Sequence, residues 1–153
     1  MPRPTYRGFR APLLRELREE RGWTQEKLAV LVGVDPSMVT RWENRHIVPE
    51  VSTIARIAAV LQVRPQEFTE VPVKEGSLVD LRLWSAMTRQ QAAGQTGISE
   101  RRLIAFEHLT TRPDEVAAAA LAHAYAVTPD TVLEAWDRDR AATYPETVGA
   151  PRP

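Results

Sequence analysis

Shifted by 64 residues, this chain lies on itself: Leu17–Phe68 aligns with Leu81–Val132 without a gap. Eleven of the 52 aligned positions are identical. They are Leu17/Leu81, Arg18/Arg82, Thr24/Thr88, Ala29/Ala93, Gly33/Gly97, Glu43/Glu107, Pro49/Pro113, Ala55/Ala119, Ala58/Ala122, Val63/Val127 and Pro65/Pro129. Val34/Ile98, Val39/Leu103, Trp42/Phe106 and Ile57/Leu121 add conservative matches. A repeat of this length constrains the fold more than any single motif, because both copies must suit the same architecture.

Turn signals divide each copy into short helices. In the first, Leu13, Leu14, Leu17 and Arg21 lie on an opening helix. Pro12 suits its first turn, where the missing N–H is no loss. Thr24 caps a second helix running to Val32, and Gly33 ends it in the left-handed conformation glycine tolerates. Asp35 caps a third helix with Pro36 at its first position. Pro49 marks the next break, Ile54, Ile57, Ala58 and Leu61 stripe a fourth helix, and Pro65 opens a short fifth.

Strand alternation is absent, so an all-α fold is expected: two tandem five-helix domains joined by a short linker. The divisions are a basic N-terminal arm (1–11), a first domain (12–70) and a linker (71–77) ending in Ser77 as a helix cap. A diverged second domain (78–138) and a proline-bearing tail (139–153), expected to be disordered, complete the chain.

Composition narrows the class. At 153 residues, 43% hydrophobic and 26% charged, the chain fits two small globular domains. Without cysteine it has neither a disulfide framework nor a thiolate zinc site. Apolar runs such as Val116–Ala122 are too short to span a bilayer, and no signal peptide opens the sequence. A cytoplasmic protein with no membrane partner is expected. His46, His108 and His123 are scattered, no nucleophile has an orienting base, and no glycine-rich phosphate loop occurs. No enzyme activity, metal or cofactor is therefore expected.

The stretch "TQEKLAVLVGVDPSMVTRWENR" (24–45) resembles the helix-turn-helix of the phage-repressor/Cro family, also called the xenobiotic response element family. Ala29 is small where two helices cross closely, and Gly33 makes the turn. Leu28, Val34, Val39 and Trp42 occupy the apolar positions that lock the second helix against the third. At about 100° per residue, Ser37, Thr40, Arg41 and Asn44 share one face, opposite Val39 and Trp42.

The resemblance implies a sequence-specific regulator of transcription, most simply a repressor occupying an operator in double-stranded DNA. It places Ser37, Thr40 and Arg41 at base-reading positions, Gln25 at a phosphate, and Asn44 and Arg45 at the DNA backbone. Arg41 suits bidentate contact to guanine. Pro36 departs from the family, standing where a polar reader is common. Arg18 with Glu43, and Arg82 with Glu107, match positions that form structural ion pairs. Arg3, Arg7 and Arg10 in the arm fit either a neighbouring DNA groove or a solvated tail.

The second copy keeps the frame but changes the face. Its "GISERRLIAF" (97–106) offers Arg101, Ile104, Ala105 and His108, with Ala105 in place of Arg41 and Ile104 in place of Thr40. Arg89 replaces Gln25, and Arg102 and Arg112 lie nearby. Two readings follow. Either the second domain contacts DNA less specifically through Arg89, Arg101, Arg102 and Arg112, or it is a module for homodimerisation or another protein, as in an antitoxin-like regulator.

Overall fold

The computed structural model describes residues 3–145. Among them are nine α-helices: α1 (Ala11–Glu20), α2 (Gln25–Val32), α3 (Pro36–Glu43), α4 (Val51–Leu61), α5 (Leu78–Trp84), α6 (Arg89–Thr96), α7 (Glu100–Glu107), α8 (Glu115–Tyr125) and α9 (Pro129–Thr143). Short 3-10 turns occupy Pro65–Phe68 and Val73–Glu75. No strand forms among the described residues, and β pairing is limited to an isolated antiparallel bridge between Phe9 and Thr69.

The elements keep the spacing of the sequence repeat. The first and last residues of α2, α3 and α4 lie 64 positions before those of α6, α7 and α8, and α9 begins 64 positions after the Pro65 turn. Left-handed backbone follows the same register, at Gly22 and Ala86, Gly33 and Gly97, Arg45 and Leu109, Gln62 and Ala126.

Local chemistry explains the boundaries. The hydroxyls of Thr24 and Thr88 accept from the N–H groups of Lys27 and Gln91 at the starts of α2 and α6. Asp35 and Ser99 accept from Ser37 and Arg102 to start α3 and α7. Such caps each stabilise a helix by about 1 kcal/mol. Gly33, at φ 83°, closes α2 and turns the chain toward α3.

The core of the first half joins Leu28 and Ala29 of α2, Val39 and Trp42 of α3, and Ile54, Ile57 and Leu61 of α4. In the second half, Ala92, Leu103, Phe106, Leu121 and Tyr125 take the corresponding places. Each large side chain so buried contributes about 1.5–3 kcal/mol of favourable transfer energy. The apolar cluster is continuous across both halves.

Three expectations need correction. The arm does not project: Tyr6 is buried, the Arg7 guanidinium donates to Asp80 and to the Glu75 carbonyl, and Arg10 donates to the Glu67 carbonyl. Arg3 is exposed, while Met1 and Pro2 lie outside the described residues. The stretch 71–77 is more than a tether, because Gly76 is buried and Arg138 of α9 donates to the carbonyls of Lys74 and Gly76. The expected disorder of 139–153 fails at its start, where α9 runs to Thr143 with Val132, Ala135 and Trp136 anchoring its first two turns. Residues 146–153 lie outside the described residues.

Candidate nucleic-acid interface

On α3, the buried side chains Val39 and Trp42 force the opposite face outward. Ser37, Arg41 and Asn44 are exposed there, and the φ of Arg45 is 61° just beyond the helix, with its residue also exposed. The start of the helix is held by Asp35. Hydrogen bonds from the Ser37 side chain and backbone keep the Asp35 carboxyl below the usual carboxylate range.

Behind this face, Arg18 Nε donates to Glu43 Oε1 at 2.6 Å and its Nη2 to Oε2 at 3.2 Å, while its Nη1 donates to the Trp23 carbonyl at 2.8 Å. The Glu43 side chain is only 2% exposed. A buried carboxylate without a partner would cost several kcal/mol, so the fork of Arg18 ties α1 to the last turn of α3.

Gln25 extends this chain: its Nε2 donates to Glu43 Oε2 at 2.5 Å, and its Oε1 accepts from the Thr40 hydroxyl at 2.7 Å. Thr40 is half-buried and spends its only hydroxyl proton inward. Toward an outside partner the hydroxyl is left with its lone pairs alone. Gln25 keeps one amide hydrogen for an outside partner. The helical angle alone placed Thr40 on the outer face but could not show that Gln25 reaches it across the α2–α3 turn.

The second half repeats the buried pair, with Arg82 Nε on Glu107 Oε1 at 2.5 Å and Arg82 Nη1 on the Met87 carbonyl at 3.0 Å. Here Arg89 takes the place of Gln25 and donates to Glu107 Oε2 at 2.8 Å. Ile104 offers nothing to continue the chain. Arg112 forms a two-pronged pair with Asp137 of α9 at 2.8 and 2.9 Å. Arg102 lies 3.6 Å from Asp114 and over the Phe106 ring. Arg101 is exposed and has no ion-pair partner among the described residues. Ile104 and Ala105 are half-buried, and His108 is exposed at the end of α7.

One difference between helix starts escaped the sequence reading. Glu50 begins α4 without a side-chain cap, whereas its counterpart Asp114 caps α8. Among the described residues, no three His, Cys, Asp or Glu side chains gather where a metal could bind. No single helix among them is long and apolar enough to cross a membrane.

Residues 14–68 match the helix-turn-helix family model. The segment from Leu14 to Phe68 is therefore a helix-turn-helix domain, with α2 and α3 as its two eponymous helices. The chain is also similar to the HTH-type transcriptional regulator SutR of Escherichia coli (strain K12), at 34% identity over 64 residues. That alignment covers 42% of this chain and 36% of the relative, so the chain matches little more than a third of that protein's length. No solved structure gives a significant match.

Proposed function

We propose that the chain is a sequence-specific DNA-binding regulator of transcription, most simply a repressor that blocks polymerase by occupying an operator. The observation that carries this reading is the exposed face of Ser37, Arg41 and Asn44 on α3, braced from behind by the buried Arg18–Glu43 pair. Arg41 is the base reader, and its fork fits the two major-groove acceptors of guanine. Ser37 assists it. Gln25, with its remaining amide hydrogen, and Asn44 and Arg45 meet the backbone, and Thr40 serves chiefly to hold Gln25. Such a protein acts in the cytoplasm, on the nucleoid.

The test is selection of a duplex from a random library, followed by binding of Arg41→Ala. Loss of about 1–3 kcal/mol of discrimination at one guanine is expected. Unchanged affinity and specificity would refute the assignment.

Residues 78–138 are proposed as a second domain of the same kind, on the strength of the shared helix register and left-handed positions. Its contact with DNA is less specific and centres on Arg101 and Arg102. A second reading has its own support, since Arg89 and Arg112 are engaged by carboxylates and Ile104 and Ala105 replace polar readers. In that reading the second domain binds protein. Substituting Arg101 and Arg102 by Ala separates the two: each lost phosphate contact lowers the salt slope of binding by about 0.9. An unchanged slope favours the protein-binding reading.

A further inference from the structure

Four consecutive residues near the N-terminus, Tyr6 to Phe9, lie between the two halves and bind both. The Tyr6 hydroxyl donates to the Pro65 carbonyl at 2.6 Å, and Phe9 stacks on Phe68, both in the first half. Arg7 reaches the other way. Its Nε and Nη2 donate to Asp80 Oδ2 at 3.1 and 2.8 Å, and Nη2 also donates to the Glu75 carbonyl at 2.9 Å. The Arg7 carbonyl accepts from Thr69 Oγ1 at 2.9 Å and from Trp84 Nε1 at 2.8 Å, so a single backbone oxygen ties residues on either side of the connecting segment.

On the surface that receives this segment the two halves differ. At the end of α1 and just after it, Glu19, Glu20, Arg21 and Gly22 are charged or small and largely open to solvent. Sixty-four positions on, Leu83, Trp84, Ser85 and Ala86 are all buried. Trp84 closes over Gly76, where a Cβ would stand 2.5 Å from the ring, so no larger residue fits beneath it. The Ser85 hydroxyl accepts from Gln66 Nε2 of the first half at 3.2 Å. A free tether of the length of 71–77 would let the halves tumble independently. These contacts oppose that freedom.

We propose that Tyr6–Phe9 is a clasp that fixes α7 relative to α3, with Arg7 and Trp84 as positioning residues, so that the chain addresses DNA as one rigid reader with one permitted spacing. This rests on the DNA-binding reading above, but the clasp itself is testable without DNA. The chain has no cysteine, so Ser37→Cys and Arg101→Cys introduce two unique spin-label sites on α3 and α7. Pulsed dipolar spectroscopy of the full-length chain should give one narrow distance distribution. Adding Arg7→Ala should broaden it about twofold while helix content is retained, Trp84→Phe, which deletes the indole donor and the ring edge over Gly76, should broaden it too, and Arg7→Lys should restore part of the narrowing. Because the Arg7 side chain is half exposed, its loss leaves folding of each half intact even if Trp84→Phe does not.

In the second arm, unlabelled chain binds library-selected duplexes carrying successive base-pair insertions between the two contacted segments. The intact chain should lose about tenfold or more in affinity off the preferred spacing, and Arg7→Ala under about threefold. Equal distribution widths in intact and variant chains overturn the clasp. Equal spacing tolerance, or a footprint confined to the first half, overturns the single-spacing claim while DNA binding stands. If the intact chain binds no duplex, the DNA reading fails, and the distance distributions still decide the clasp.

Discussion

The helices α3 and α7 have the same length, a side-chain cap at the start and the same buried arginine–glutamate brace, yet they present different chemistries. On α3 the brace continues through Gln25 to Thr40 and leaves Ser37, Arg41 and Asn44 outside. On α7 the second carboxylate oxygen is taken by Arg89, and Ile104 and Ala105 stand where Thr40 and Arg41 would be. The difference teaches which positions the fold dictates. A buried charge admits few replacements, because either partner alone would be stranded out of water. An outward side chain answers only to what it meets there.

The largest effect should come from the part the halves share. Glu43→Ala strands Arg18 and costs about 3–5 kcal/mol in chemical denaturation, and Glu107→Ala should cost a similar amount. A clear inequality would show that Arg89, which gives Glu107 a second cation, changes the energetics of the brace. Next is Arg41→Ala, which removes about 1–3 kcal/mol of base discrimination, while Ala105→Arg should add a new base preference under the second half if that half lies on DNA. Quantitative mobility shifts on library-selected duplexes read both.

Smaller again is Thr40→Val, which breaks the hydroxyl bond to Gln25 at about 0.5–1.5 kcal/mol of stability and loosens Gln25. The matching exchange Ile104→Thr should gain little, since Arg89 has no acceptor to offer it. Thermal melts of the two variants compare the halves directly.

The smallest effect concerns pH at Asp35. Its carboxyl is lowered in the folded chain, so its capping contribution is fully present above the ordinary carboxylate range and fades as pH falls through the lowered value. The melting difference between the intact chain and Asp35→Asn should shrink on that descent. The cap at Ser99 of α7 has no carboxyl, so Ser99→Ala should show a pH-independent difference.

Much of the fold was legible because its determinants are local. Thr24, Gly33, Asp35 and Pro36 specify the α2–α3 turn within a dozen residues, and the 64-residue repeat carried that reading to α6 and α7. The exposed face of α3 followed from helical angle. What escaped depends on distance in sequence. Arg7 finds Asp80 from 73 positions away and Trp84 finds the Arg7 carbonyl from 77, so in the sequence the three arginines near the N-terminus fit a neighbouring groove or a solvated tail equally well. Arg112 meets Asp137 on a helix expected to end sooner. The bond from Thr40 to Gln25 escaped for a different reason, because angle gives direction but not the reach of a neighbouring amide.

The four left-handed positions that recur in both halves have a practical meaning for anyone wishing to harden this protein. Only Gly33 and Gly97 keep glycine in both; Ala86, Arg45, Leu109, Gln62 and Ala126 hold the same geometry with side chains that disfavour it. Each non-glycine carries about 1 kcal/mol of local cost that the surrounding packing overrides. The turns have thus outlasted the residues suited to them, and the exposed Gln62 and Ala126, just after α4 and α8, are a reserve of stability that glycine could release away from α3 and α7.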